Sequence, residues 1–329
     1  MQVIMTPADL PDVRLLLPHQ LRTWGAQVDE VLCLVDVPPR SERDGRARPS
    51  VEDVWQYLED QRRIYPHLAW RQVDYSPEAV RRVEQTFCGG RRVPIQDYRS
   101  RPIYAYLHLL LATEHDLVFH IDCDMMFGGG SQTWIAEGVA LLDRRPDVVA
   151  CRPHPGPPRP DGRLLSQRRR PLPEPGAPLA YRFPSFTYRT FLLDRRAFVE
   201  RLGPMRSEWP PWPSAVRTLV RRRWPHALLE QSIESAMRRH DQWRLDFLGV
   251  APGMWSLHPR YRTARYRRVL PELIRMVEAG VVPDAQRGEY DLTDAMLERA
   301  EDALATRPRA SALKRRIEDR SSGARAEGR

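Results

Sequence analysis

Lysine is almost missing from this chain: of 52 basic residues, only Lys314 is not arginine. A formal charge of +9 therefore rests on guanidinium groups, a bias of the kind a GC-rich bacterial genome imposes and weak ground for a nucleic-acid partner. Long apolar runs are also missing. The longest, residues 107–112 with its flanks, falls well short of the roughly 20 residues that cross a bilayer, and the first residues lack a basic, then apolar, then small-residue leader. A cytoplasmic protein without a transmembrane segment is expected. Four cysteines, Cys33, Cys88, Cys123 and Cys151, are scattered without zinc spacing, which argues against both a disulfide framework and a zinc centre. RNA-binding aromatic motifs and internal repeats are absent. What is present, 42% hydrophobic and 29% charged residues in a chain of 329, suits a globular protein with one substantial core, or a core plus a subdomain.

Periodicity predicts a β-α-β opening: a strand at residues 1–5, a helix at 12–25, and a strand at 28–37 that ends in Asp36 and a proline stop. Residues 40–50 read as loop, 51–65 as an amphipathic helix, 69–73 as a strand and 77–86 as a helix. A helix over 102–113, with Pro102 in its first turn, feeds the apolar strand from Leu117 to Asp122. A helix at 131–144 and a strand at 148–151 follow. Residues 152–178, dense in Pro, Gly and Arg, are expected as a long loop, and 208–214 as a rigid aromatic one. Further on come strand segments within 183–193, a helix at 195–201, a helix at 228–239, strands at 243–248 and 255–258, and a helical stretch at 270–305 with a charged tail.

The chemistry points to the end of the mid-chain strand, Leu117-Val-Phe-His-Ile-Asp122-Cys-Asp124, followed by Gly128-Gly-Gly. Residues one apart at a strand's end share a face, and two carboxylates there repel each other unless a hard divalent cation holds them together. Such a cation can neutralise a diphosphate. A solvated strand exit is the plainer account of any acidic pair. In a mostly parallel sheet the carboxyl ends of strands converge on one crevice, so Thr6 and Pro7 after the first strand, and Asp36 after the second, fall beside the pair. Asp36 reads equally well as a turn residue.

This acidic pair resembles the Asp-x-Asp motif of nucleotide-sugar glycosyltransferases of the A-type fold, and the order of later features is similar to family 2 of that group over residues 1–270. The resemblance implies an α/β catalytic domain at 1–270, with a nucleotide-binding half at about 1–130 and an acceptor half at 131–270, then a helical extension and tail at 271–329. It implies Mn2+ or Mg2+ held by Asp122, Asp124 and His258, with Asp122 also orienting ribose or a metal-bound water. It implies a general base on the helix at 228–239, where Glu230 is the choice and Glu234 the reserve. Arg260 and Arg262, in an arginine run to Arg268, are candidates to meet the departing diphosphate, and Arg99 and Arg101 to meet the nucleotide. Two departures stand out: Gln231 replaces the second acid of the family's Glu-Asp motif, and no arginine-asparagine helix precedes the acidic strand. The expected partners are a nucleotide-diphosphate sugar and a sugar or small-molecule acceptor, which Trp209, Trp212 and Trp224 could stack on.

Competing readings divide by residue type. A haloacid dehalogenase-type phosphatase would need its Asp-x-Asp near the N-terminus and a lysine at the site. A sugar nucleotidyltransferase would open on a Gly-rich basic loop, which Met5-Thr-Pro-Ala-Asp-Leu-Pro does not supply. A noncatalytic basic protein binding nucleic acid or a membrane surface would use Arg217 to Arg223 and Arg260 to Arg268.

Overall fold

Strand residues here are buried on both sides, and the period of two divides them between two cores. In the first two strands, β1 (Gln2–Met5) and β2 (Val31–Val35), Val3, Met5, Val31, Cys33 and Val35 pack on one face while Ile4, Leu32 and Leu34 pack on the other. The computed structural model describes residues 1–38, 49–165, 171–175, 177, 179–206, 208–220 and 225–306. Residues 40–48 of the expected loop, residues 166–170, 176 and 178 of the Pro-rich stretch, Arg221 to Trp224 and the tail beyond 306 lie outside the described residues.

After β1 come α1 (Leu10–Trp24), β2, α2 (Val51–Ile64), β3 (Leu68–Gln72), α3 (Pro77–Cys88), α4 (Tyr104–Leu111) and β4 (Leu117–Asp122). Next are β5 (Met126–Gly128), α5 (Trp134–Arg144), β6 (Val148–Pro155), β7 (Leu172–Pro173), β8 (Ala180–Phe183), β9 (Thr190–Asp194) and α6 (Arg195–Leu202). The chain closes with α7 (Trp212–Val220), α8 (Leu229–Arg239), β10 (Trp243–Phe247), β11 (Trp255–Leu257), α9 (Ala264–Glu278) and α10 (Asp294–Thr306). Local signals set several boundaries. Ser50 and Ser76 each accept a backbone N–H in the first turn of α2 and α3, and Gly89, at φ 59°, ends α3 in the left-handed conformation.

The main sheet runs β3-β2-β1-β4-β9-β6-β10-β8-β7, with β5 and β11 pairing off its path. Strands β3, β2, β1 and β4 are parallel; β9 runs antiparallel to β4 and β6, and β8 antiparallel to β10 and β7. The sheet is therefore mixed, which corrects the expectation of a mostly parallel one. A strand buried on both faces gives the same unbroken apolar run whichever way its neighbour points, so the sequence carries no direction signal there.

Two further corrections concern loops. Part of the supposed long loop is strand: β6 continues to Pro155, where the imino group costs little because pairing there passes through neighbouring carbonyls and Gly156. α7 begins within the supposed aromatic loop, since Pro211 and Pro213 sit in its opening turn, where a helix needs no N–H donor. A third core, made by α9, α10, Leu16, Met126 and Leu257, backs β5 and β11. All four cysteines are buried thiols, and no described helix is long and apolar enough to cross a membrane.

Candidate active site

The carboxyl ends of β1, β2 and β4 lie side by side, because Ile4 is opposite Asp122 and Met5 opposite Val35. That register brings Thr6, Asp36 and the acidic pair to one edge. Behind the pair, Trp24, Phe119, Phe127 and Trp134 interlock with ring centroids 4.5–5.9 Å apart, a rigid apolar backing for the turn. The glycines that follow answer to packing. A Cβ on Gly128 would lie 2.2 Å from the Trp255 ring, and one on Gly129, at φ 99°, 2.4 Å from the Gly253 carbonyl oxygen.

Asp122 is held by several neighbours at once. Its Oδ1 accepts from the Tyr106 hydroxyl at 2.6 Å and lies 3.3 Å from His120 Nε2, and its backbone N–H donates to Arg189 O at 2.7 Å. Asp124 is nearly buried, and its Oδ1 has no hydrogen-bond partner. Its Oδ2 lies 3.9 Å from Arg262 Nε. Burial pushes the Asp124 carboxyl above the usual range, with Asp122 adding repulsion while His258, Arg262 and Arg189 pull the other way.

Around this pair the candidates assemble as follows. His258, just past β11, donates from Nδ1 to the Asp291 carboxylate at 2.9 Å and stacks on Tyr290, so its Nε2 is the nitrogen left for another partner. The Asp291 carboxyl is pushed up by burial, but the His258 bond and the charges of Arg189 and Arg260 outweigh this and hold it low. Thr6 donates from N and Oγ1 to Asp9 Oδ2, and Asp9 Oδ1 accepts from Arg262 at 2.6 Å, linking the loop after β1, with Pro7, to Asp124. Asp36 accepts from the Tyr75 hydroxyl at 2.7 Å; burial first, then Asp9, raises its carboxyl against that bond. Glu230 lies in the first turn of α8, and its charge and that of Asp122 both raise the Tyr188 hydroxyl and the Arg189 guanidinium, after burial in the first case and against it in the second. The Arg101 charge acts on the Tyr188 hydroxyl in the opposite direction.

Other candidates face elsewhere. Glu234 is buried one turn beyond Glu230, its Oε1 3.5 Å from Arg238 Nη1. Gln231, the departure from the family pattern, accepts the Leu228 N–H at 3.2 Å and so closes the start of α8. The arginine run is mostly spent on the fold: Arg265 and Arg268 pair with Glu301, and Arg267 with Asp12 at 2.9 Å. Arg262, bonded to Asp9, is the member of the run that lies beside Asp124, and this pairing weakens any reading of the run as a nucleic-acid surface. Arg99 bonds the neighbouring Tyr98 hydroxyl.

Several site residues escaped the sequence reading. Tyr106, the neighbours Tyr188 and Arg189, and the neighbours Tyr290 and Asp291 come from three separate segments, and no spacing pattern joins them. Arg152, 3% exposed, lies over the Tyr290 ring at 4.2 Å with Nε and Nη2 unpartnered, and 3.7 Å from Asp246, whose two oxygens already accept from Arg244.

Among the described residues, no three His, Cys, Asp or Glu side chains are arranged to hold a metal ion by themselves. The unpartnered Asp124 oxygen and the remaining His258 nitrogen fit a hard cation that takes its other ligands from a diphosphate and water, as Mg2+ commonly does. A carboxylate holding the other nitrogen of a ligating histidine also fits this pattern.

No family model matches the chain, and no curated protein matches it in sequence. Among solved structures, the galactosyltransferase LgtC in complex with donor and acceptor sugar analogues superposes with a TM-score of 0.38 at 12% identity, over 88% of this chain and 99% of that one. A structure of S. aureus TarS, residues 1–349, gives 0.37 at 10% identity, over 91% and 68%. A mycobacterial protein gives 0.33 at 13% identity, over 86% and 75%. Superpositions this loose carry no conclusion about the chemistry of this chain.

Proposed function

We propose that the chain is a metal-dependent glycosyltransferase of the A-type fold, close to family 2, that moves a sugar from a nucleotide-diphosphate donor to an acceptor hydroxyl with inversion. The observation that carries this reading is the Asp124 carboxylate, nearly buried, with one oxygen unpartnered, at the edge where β1, β2 and β4 end beside His258, Arg262 and Arg189. A buried carboxylate oxygen without a hydrogen-bond partner is costly, and it persists at such an edge when a ligand completes it.

Asp124 and the Nε2 of His258, with Asp122 beside them, would hold Mn2+ or Mg2+, which when bound supplies charge neutralisation at the donor diphosphate. Thr6, Pro7 and Asp36, which follow β1 and β2, would meet the nucleotide together with Arg101, and Arg260 and Arg262 would meet the leaving diphosphate. Glu230 takes the proton of the acceptor hydroxyl as its oxygen bonds to the anomeric carbon and the bond to the diphosphate breaks. Gln231, which closes the first turn of α8, leaves Glu230 as the acid of that turn.

The test is calorimetry with Mn2+ and a panel of nucleoside diphosphates, followed by turnover with the matching sugar nucleotides. Asp124→Asn is expected to abolish metal-dependent nucleotide binding. Glu230→Gln is expected to keep nucleotide binding and lose turnover at least about a hundredfold. Unchanged binding in the first variant, or unchanged turnover in the second, removes that residue's role.

A further inference from the structure

Several arginines of this chain hold carboxylates by one edge. In Arg145, Arg159 and Arg244 the Nε and Nη2 groups grip the two oxygens of Asp147, Asp161 and Asp246, the side-on fork that matches a planar carboxylate. Arg152 has the same edge with nothing on it: its Nε and Nη2 are buried and without a hydrogen-bond partner. The acid beside it, Asp246, lies 3.7 Å from the remaining nitrogen, Nη1, and is taken on both oxygens by Arg244. Two buried guanidinium groups therefore share one carboxylate. Burial pulls the Arg152 guanidinium below its usual range, and Arg244 and Arg189 add to this against Tyr290 and Asp246. A cation so placed is short of one anion.

The strand register places this edge beside the candidate site. Leu192 of β9 is opposite both Phe119 of β4 and Cys151 of β6, so those three share a face, and the alternate residues His120, Asp122, Arg152 and His154 share the other. Only β9 lies between β4 and β6, a gap of about 10 Å at the usual strand spacing. Tyr290 joins the two ends of that gap. The Arg152 guanidinium lies 4.2 Å from its ring centroid and that of Arg189 5.9 Å, and His258 stacks on it at 5.8 Å. His154 is buried as well, and burial pulls its ring toward the neutral form. Its Nδ1 donates to the Gly156 carbonyl oxygen at 2.7 Å, so Nε2 carries the lone pair, and that nitrogen is also unpartnered. A fork for a carboxylate and an acceptor for a hydroxyl, two residues apart on one face, match a sugar acid.

We propose that Arg152 and His154 form a subsite for a hexuronate, with the sugar carboxylate on the Nε/Nη2 edge of Arg152 and a neighbouring hydroxyl donating to His154 Nε2. Naming that sugar as the transferred or the accepting one rests on the transferase reading. Its binding takes neither metal nor nucleotide, so this inference and the transferase reading fail independently.

Full-length wild-type protein is titrated with free glucuronate, glucose and acetate, without metal or nucleotide, and binding is followed by ligand-observed NMR. Glucuronate is expected to bind about tenfold more tightly than either. Arg152→Met is expected to remove the preference over glucose, and Arg152→Lys, which keeps the charge and loses the fork, to weaken it. His154→Phe is expected to keep that preference and to lose the margin over acetate. Competition then assigns the source. A glucuronate-bearing sugar nucleotide that, with Mg2+, displaces free glucuronate marks the transferred sugar, and free glucuronate that stays bound beside a glucose-bearing one marks the acceptor. Equal affinity of the wild-type protein for glucuronate and glucose, or for glucuronate and acetate, overturns the proposal, a comparison that needs no variant to fold. So does a folded Arg152→Met variant that keeps the wild-type preference.

Discussion

Gln20 grips the acidic turn from behind. Its side-chain amide donates to the carbonyl oxygens of Asp122 and Met125, both at 3.0 Å. Its neighbour His19, fully buried, accepts the Phe127 N–H at Nε2, which leaves Nδ1 to donate to Glu278. Two successive residues of α1 thus tie down the chain from Asp122 to Phe127. Gln20→Ala strands two carbonyl groups and is expected to destabilise the fold by about 1–3 kcal/mol, measured by urea unfolding, and to weaken metal-dependent nucleotide binding as well. A variant with wild-type nucleotide affinity would reduce Gln20 to a structural role. Glu278 is held down to about 2, first by the His19 bond and also by Arg22, against partial burial. Because the folded value lies below the ordinary one of about 4.5, the stability from this acid is complete above about 4.5 and is lost as pH falls toward about 2. Glu278→Gln is therefore expected to lower stability by about 1 kcal/mol at neutral pH, an effect discounted for the acid's exposure, and by progressively less in acid melts.

At the scale of elements, the decisive contact is β5 against β11. The pair is antiparallel, with Trp255 opposite Gly128 and Leu257 opposite Met126, and it carries His258 from the far end of the chain to the acidic turn. Gly128 is required because the Trp255 ring fills the space a side chain would use. Gly128→Ala is expected to cost about 1–3 kcal/mol and to lower nucleotide affinity, since the indole and with it the position of His258 must shift. Adding Trp255→Leu should restore part of the stability, and failure of that rescue would mean the clash is not the cause. The helices and strands of the first half were largely legible because apolar spacing, Ser caps and Gly89 agree locally. β5 was not, since three residues give no period, and α7 was hidden because its prolines read as loop residues until a helix start is known.

For the whole molecule, a mixed sheet between two apolar faces brings the ends of β1, β2 and β4 side by side, with Arg262 3.9 Å from Asp124 at that edge. A ligand bound there stabilises the folded state by mass action. At a concentration a hundredfold above its dissociation constant, a nucleoside diphosphate with Mn2+ is expected to raise unfolding free energy by about 2.7 kcal/mol, read as a higher melting temperature, with no such rise in Asp124→Asn. An equal shift in the variant would place the ligand elsewhere.

The chain's own text was enough to mark Asp122 and Asp124 at a strand's end, an α/β alternation ahead of them, and Glu230 at a helix start. These are local properties: periodicity, caps and the chemistry of neighbours in sequence. Strand direction in the second half, the turn of Glu234 toward Arg238, the pairing of Arg265 to Arg268 with Glu301 and Asp12, and the arrival of Tyr106, Arg189 and Asp291 beside the acidic pair were decided only in three dimensions. Each depends on which distant charge or ring occupies the space alongside, and Coulomb and packing forces act on that distance, not on separation along the chain.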